Sequence, residues 1–156
     1  AASVGGSPNQ VVGGQSGGIA TGPPRAGAGC GALGEDYARG LILIVFNKTR
    51  GVVVADKVVA ADTAPTRAKG LLGRDGLGPG EGMWIVPCAM VHMFFMRFAI
   101  DVVFLDRALM VRRVSQGLKP WRLSAWVPSA HSVLELVAGS TAGKLAVGDE
   151  LELRDG

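Results

Sequence analysis

Every apolar run in this chain is short, and most are rich in valine and isoleucine. The longest unbroken one, LILIVF at 41–46, has six residues. A membrane-spanning helix needs about 20, and the apolar part of a signal peptide about 7 to 15. LILIVF therefore predicts a buried strand, and no transmembrane segment or targeting signal is read. Short β-branched runs separated by Gly, Pro, Asp and Asn are the mark of strands, since branched side chains pack well on a pleated surface.

The rest of the chain repeats this pattern. GVVVADKVVAAD (51–62) is two valine-rich runs around Asp56 and Lys57 and predicts a hairpin. MWIVP (83–87), VHMFFMRF (91–98), DVVFLD (101–106) and ALMVRRV (108–114) predict four more strands, with DRAL (106–109) turning between the last two. SVLELV (132–137) and DELEL (149–153) alternate apolar with polar, the half-buried pattern. GSTAGKLAVG between them has room for one helical turn or a short helix.

One segment changes period. In DTAPTRAKGLLGR (62–74), Asp62 or Thr63 can cap a helix and Pro65 suits its first turn. Ala64, Ala68, Leu71 and Leu72 fall on one helical face. Gly70 inside it costs about 1 kcal/mol against Ala, which close packing on a sheet would explain. The GRDGLGPGEG loop (73–82) is no phosphate loop, because no Lys-Ser/Thr follows it and Pro79 lacks an N–H. About eight short strands and one helix predict a mainly β fold, α+β at the margin: a single β-sandwich or partly closed barrel with one packed α-helix.

Composition divides the chain in two. Residues 1–34 hold eleven of the 24 glycines, and Arg25 is their only charged side chain. Such a segment buries too little surface to offset its ordering entropy, so residues 1–40 are expected to be a disordered Gly-rich tail or linker. Residues 41–154 are expected to form one β-rich domain. Cys30 lies in the tail and Cys88 in the domain, which argues against a disulfide scaffold. A cytoplasmic protein and an exported one both fit, and the compartment stays open.

Net charge is +3, but it is unevenly spread. No acidic residue falls between Asp106 and Glu135, a gap that holds Arg107, Arg112, Arg113, Lys119 and Arg122. LKPWRLSAW (118–126) places Trp121 and Trp126 among these cations, as in sites that stack single-stranded bases over a basic groove. A polyanion site at Arg112, Arg113, Lys119 and Arg122 is one candidate; the low total charge weighs against nucleic acid.

PCAMVHMFFMRFAID (87–101) carries the most suggestive chemistry. Cys88, His92 and Met96 stand four residues apart, and all three types ligate copper or zinc. On a strand they would lie about 13 Å apart, whereas two ligands of one zinc sit at most about 4.4 Å apart. An extended backbone thus cannot gather them on one ion, nor bring a Cys88/His92 nucleophilic pair together. No metal site, catalytic residue or cofactor is therefore assigned. The best small-molecule pocket is a cleft lined by His92, Arg97, Asp101 and Glu135, with Arg67 and Arg74 nearby. The competing reading has Arg97 pairing with Asp101 or Glu135 to close the barrel's end, and Arg67 and Arg74 tying the helix to a loop.

Several motifs together resemble the bacterial and archaeal family known as domain of unknown function 192. They are RAKGLLGR (67–74), EGM (81–83), FFMRFAID (94–101) followed by VVFLD (102–106), VLELVAG (133–139) and VGD (147–149). Ala99 stands where members often have Pro. The resemblance implies a compact β-rich sandwich or barrel with a single helix on it, and no particular activity.

The expected function is a small non-enzymatic accessory or ligand-binding module, its partner a small molecule or a protein. The alternatives are a metal-binding protein or enzyme centred on Cys88, His92 and Asp101, and a polyanion binder through the basic block at 107–122.

Overall fold

The computed structural model describes residues 42–156, so the expected tail at 1–40 lies outside the described residues. Seven strands and one short helix follow in the order β1 (Ile42–Asn47), β2 (Val52–Ala61), α1 (Ala64–Lys69), β3 (Glu81–Ile85), β4 (Ile100–Leu105), β5 (Val111–Leu118), β6 (Ser132–Val137) and β7 (Leu151–Asp155). They form one mixed sheet in the order β5-β4-β6-β3-β2-β1-β7. The β2–β3 pair is parallel, joined by a crossover that carries α1; every other pair is antiparallel.

The sheet curls. One core cluster combines Leu43 and Val45 of β1 and Leu151 of β7 with Val103 of β4 and Val111 of β5, which come from opposite ends of the strand order. The two ends also touch, through a bridge between Met110 and Glu150, but the sheet does not close along its length. The fold is thus mainly β and barrel-like, with one α-helix.

A second core lies on the other face. Ile85, Ile100, Val102, Phe104 and Val133 pack there under Val91, Met93 and Met96 of the 86–99 connection and Leu71 after α1. The central strands β4 and β6 are consequently covered on both faces, and all six residues of β4 are buried. The alternation in SVLELV predicted one wet face; the second core covers it, so Glu135 lies inside.

Several expectations are corrected. Asp56 and Lys57 do not turn the chain: both sit exposed within the continuous ten-residue β2. Their amides both donate to the Gly80 carbonyl, at 3.2 and 2.9 Å, and the β1–β2 register slips there. This is a β-bulge, which gives the same local polarity as a turn without reversing the strand. The reversal lies at Lys48–Gly51 instead. The helix is shorter than 62–74. Thr63 caps it in a reciprocal box with Thr66, and it ends at Gly70, whose amide bonds the Thr66 carbonyl. None of its own residues is buried; Leu71, just beyond it, supplies the contact.

The largest departure is at 91–98, which is no strand. It is an irregular connection with a turn at Phe94-Phe95 and one isolated bridge, His92 to Leu123. Burial does not alternate: Val91, Met93 and Met96 are inside, while His92, Phe94, Phe95 and Arg97 are exposed. The spacing of the buried residues suits neither strand nor helix. A turn takes up the odd residue, with Phe95 at φ 65°.

Candidate ligand-binding cleft

The second face of the sheet carries a cavity of about 300 Å³. Its floor is Ile85 of β3 and Glu135 of β6, one wall is the stretch from Arg67 to Leu72, and the other is formed by Pro87, Cys88 and Met90–Met93, with Met96. Leu71, Ile85, Val91, Met93 and Met96 supply its apolar lining, and Arg67, Lys69, His92 and Glu135 its polar one.

Glu135 is the unusual member. It stands opposite Met83 on β3 and Val102 on β4, and only 5% of its surface is exposed. Its carboxyl has no hydrogen-bond or ion-pair partner among the described residues. Burial alone pushes its pKa from 4.5 up to about 7. Desolvation disfavours the charged form, and no cation or N–H offsets it.

Cys88 lines the same cavity, its thiol turned to the Met90 carbonyl at 3.1 Å. Burial raises its pKa, the Met90 backbone N–H works against this, and the Glu135 charge adds to it. Arg67 lies at the rim, but its Nη1 is held by the carbonyls of Asp62 (2.5 Å) and Val86 (3.2 Å), tying α1 to the end of β3. His92 stacks on Phe94 with ring centroids 5.6 Å apart.

The other expected cleft residues go elsewhere. Arg97 points outward and pairs with Asp75 at 2.5 Å, not with Asp101 or Glu135. Arg74 lies 3.6 Å from Glu81. Asp101 is wholly buried on the opposite face, where it accepts bonds from the Gly117 amide (2.8 Å), the Thr141 amide (3.1 Å) and the Thr141 hydroxyl (2.6 Å). Burial raises its pKa, but these bonds and the Gly139 amide outweigh it, and the net shift is downward. The constellation of Cys88, His92 and Asp101 is therefore not assembled, because the sheet separates Asp101 from the other two. Among the described residues no group of three His, Cys, Asp or Glu side chains is placed to hold a metal ion.

The basic block is divided as well. Arg112 and Arg113 stand exposed on the edge strand β5, and Arg112 pairs with Asp106 at 2.5 Å. Charges on a sheet edge discourage pairing with another chain. Lys119 and Arg122 lie beyond β5, in the connection that runs to β6. No helix among the described residues is long and apolar enough to cross a membrane.

Sequence reasoning passed over Thr141 and Asn47. Both are buried, and each satisfies a buried carboxylate, Asp101 and Asp149 respectively. Only the contact, made across 40 residues in one case and 102 in the other, reveals them.

A curled, open mixed sheet with one short helix and a covered second face defines the class. The chain belongs to the DUF192 family, described as "Uncharacterized ACR", whose pattern matches residues 45–153. It is similar to a UPF0127 protein of Pyrococcus abyssi, 34% identical over 116 residues that cover 70% of this chain and 96% of that one. A UPF0127 protein of Thermococcus sibiricus is 33% identical over 118 residues, 70% of this chain and 73% of that one. Among solved structures, a protein of unknown function from Novosphingobium aromaticivorans superposes with TM-score 0.62 at 22% identity, over 79% of this chain and 99% of that one. A Sinorhizobium meliloti protein described as a candidate transcription regulator superposes with TM-score 0.61 at 25% identity, over 75% and 95%.

Proposed function

We propose that the protein is a ligand-binding module whose cleft takes a small, largely apolar molecule bearing an amine or another hydrogen-bond donor. The observation that carries this reading is Glu135: a buried carboxyl, with no partner among the described residues, set beside the apolar side chains of the cavity floor and walls. An apolar pocket with one well-placed polar group and a strongly perturbed pKa is the usual form of a small-molecule site. A donor from the ligand would supply the missing bond, and a charge-assisted one is worth more than a neutral one.

The test is NMR titration of the full chain with benzylamine, benzyl alcohol and benzoate in parallel. Benzylamine, and to a smaller extent benzyl alcohol, should shift the resonances of Glu135, Cys88 and Met93, and benzoate should not. Glu135→Gln should abolish the preference for the amine. Equal shifts from all three probes, or none from any, would reject the reading.

A further inference from the structure

One corner of the molecule carries an unusual set of exposed side chains. Phe95 is 71% exposed, Trp121 60% and Leu123 55%, with Phe94 beside them; Trp126, 69% exposed, follows farther along the same connection. The Phe95 and Trp121 rings meet edge to face at 5.0 Å, and Phe94 lies 6.4 Å from Trp121. The Met93 carbonyl and amide bond Trp121 and Arg122, which pins the two loops together. Contiguous exposed apolar patches of this kind mark interaction sites.

The backbone beneath these rings is unusual. Phe95 and Trp121 both have positive φ, 65° and 63°, a region that bulky residues rarely adopt. The fold sustains that strain at two aromatic residues whose rings it does not bury.

The charge carried by the two segments has one sign. Neither 87–99 nor 119–131, the two segments that build the corner, contains an aspartate or glutamate. They contain Arg97, Lys119 and Arg122, all exposed. Asp75 reaches in from the loop after α1 and pairs with Arg97.

From this we infer that the corner is a docking surface for an anionic phospholipid membrane, with Phe95, Trp121, Leu123 and Trp126 entering the interface and Lys119 and Arg122 facing the headgroups. Tryptophan and phenylalanine with basic residues are the side chains that settle at the lipid–water boundary. Negative lipid headgroups attract nearby lysine and arginine. Single-stranded nucleic acid is the rival partner, since it also uses aromatics and cations. Two features favour lipid. Leu123 offers no ring for a base to stack on, and the edge-to-face contact of Phe95 and Trp121 occupies one ring face of the pair. The inference is independent of what fills the cleft.

The experiment is flotation of the full chain with vesicles of phosphatidylcholine, alone or with about 30% phosphatidylglycerol. A second readout is quenching of tryptophan fluorescence by brominated lipid. The comparison variant is Phe95→Asn with Trp121→Asn, because Asn tolerates positive φ and spares the backbone. The native chain should float with the anionic vesicles and be quenched. The variant should bind at least about tenfold more weakly while melting at the same temperature or higher. Lys119→Gln with Arg122→Gln should weaken binding to anionic vesicles only. Absence of flotation, equal flotation of the Asn variant, or preference for a single-stranded oligothymidine over the vesicles would overturn the inference.

Discussion

Asp101 and Glu135 sit on adjacent hydrogen-bonded strands, yet face opposite sides of the sheet. Asp101 pairs with Leu136, and Glu135 pairs with Val102. One residue of register separates them, and side chains on a strand alternate with a period of two. Their environments differ accordingly. Asp101 has three donors and stays ionised; Glu135 has none, and burial raises its pKa.

Glu135 should make stability fall as pH rises. Its folded pKa, about 7, lies above its ordinary 4.5, so the folded state binds more protons than the unfolded between those values. Stability is full below about pH 4.5, declines through pH 7 and stays lower above it, by about 3 kcal/mol at the plateau. Urea unfolding of Glu135→Gln between pH 5 and 8 should lack this decline and give a more stable protein at pH 8. A variant whose pH profile matches the parent's would refute the assignment. Benzylamine binding should strengthen over the same window, as the carboxylate forms.

Asp101 has the opposite sign. Its pKa is lowered, so its contribution is present above the ordinary carboxylate range and lost as pH falls through the depressed value. Thr141→Val removes the hydroxyl donor and leaves part of a buried charge unsatisfied. It should cost about 1–3 kcal/mol near neutral pH, measured by chemical denaturation. Thr141→Ser keeps the donor and should recover most of that loss.

The Cys88 thiol should react slowly at neutral pH. Burial holds it protonated and the thiolate is the reactive form. In a Cys30→Ser background, labelling by a disulfide reagent should be slow at pH 7 and accelerate with rising pH. An amine that fills the cleft should slow it further. Fast labelling at pH 7 would show that the thiol is open to solvent and not shielded by the cavity wall.

Gly82 is required where β3 pairs with β6. A methyl group there would meet the Leu136 side chain at 2.6 Å and the Glu135 carbonyl at 2.7 Å. The carbonyl cannot move without disturbing the strand pair that carries Glu135. Gly82→Ala should cost about 1–3 kcal/mol in urea unfolding and perturb the Glu135 resonances. Gly51→Ala tests the other use of glycine: nothing crowds that position, but φ is 68°, so its loss should come from the backbone alone.

Strand composition was legible because β-branched runs bounded by turn residues are a local signal. LILIVF, DVVFLD and SVLELV are all strands within a residue or two of their expected ends. Where two local structures share one pattern, the sequence was silent. Asp56-Lys57 is polar within valines whether it turns or bulges, and only the Gly80 carbonyl, just before β3, decides. The 91–98 run is apolar whether it pairs or merely covers a core. Its hydrophobicity reports burial under the second face, not strand geometry.

The candidate site followed the same division. Glu135 and His92 were legible as polar residues among apolar ones and Arg67 as part of the RAKGLLGR motif, and all three line the cavity. Arg97 and Asp101 drew attention for the same reason but lie elsewhere.

The sequence by itself determined that this chain makes short strands, carries a charge beside its buried runs and belongs with DUF192. Those properties are written in residue type and spacing along the backbone. Only the tertiary structure decided which face each polar group occupies, since that depends on register between strands distant in sequence. A single residue of offset between β4 and β6 gave Asp101 its donors and left Glu135 without any.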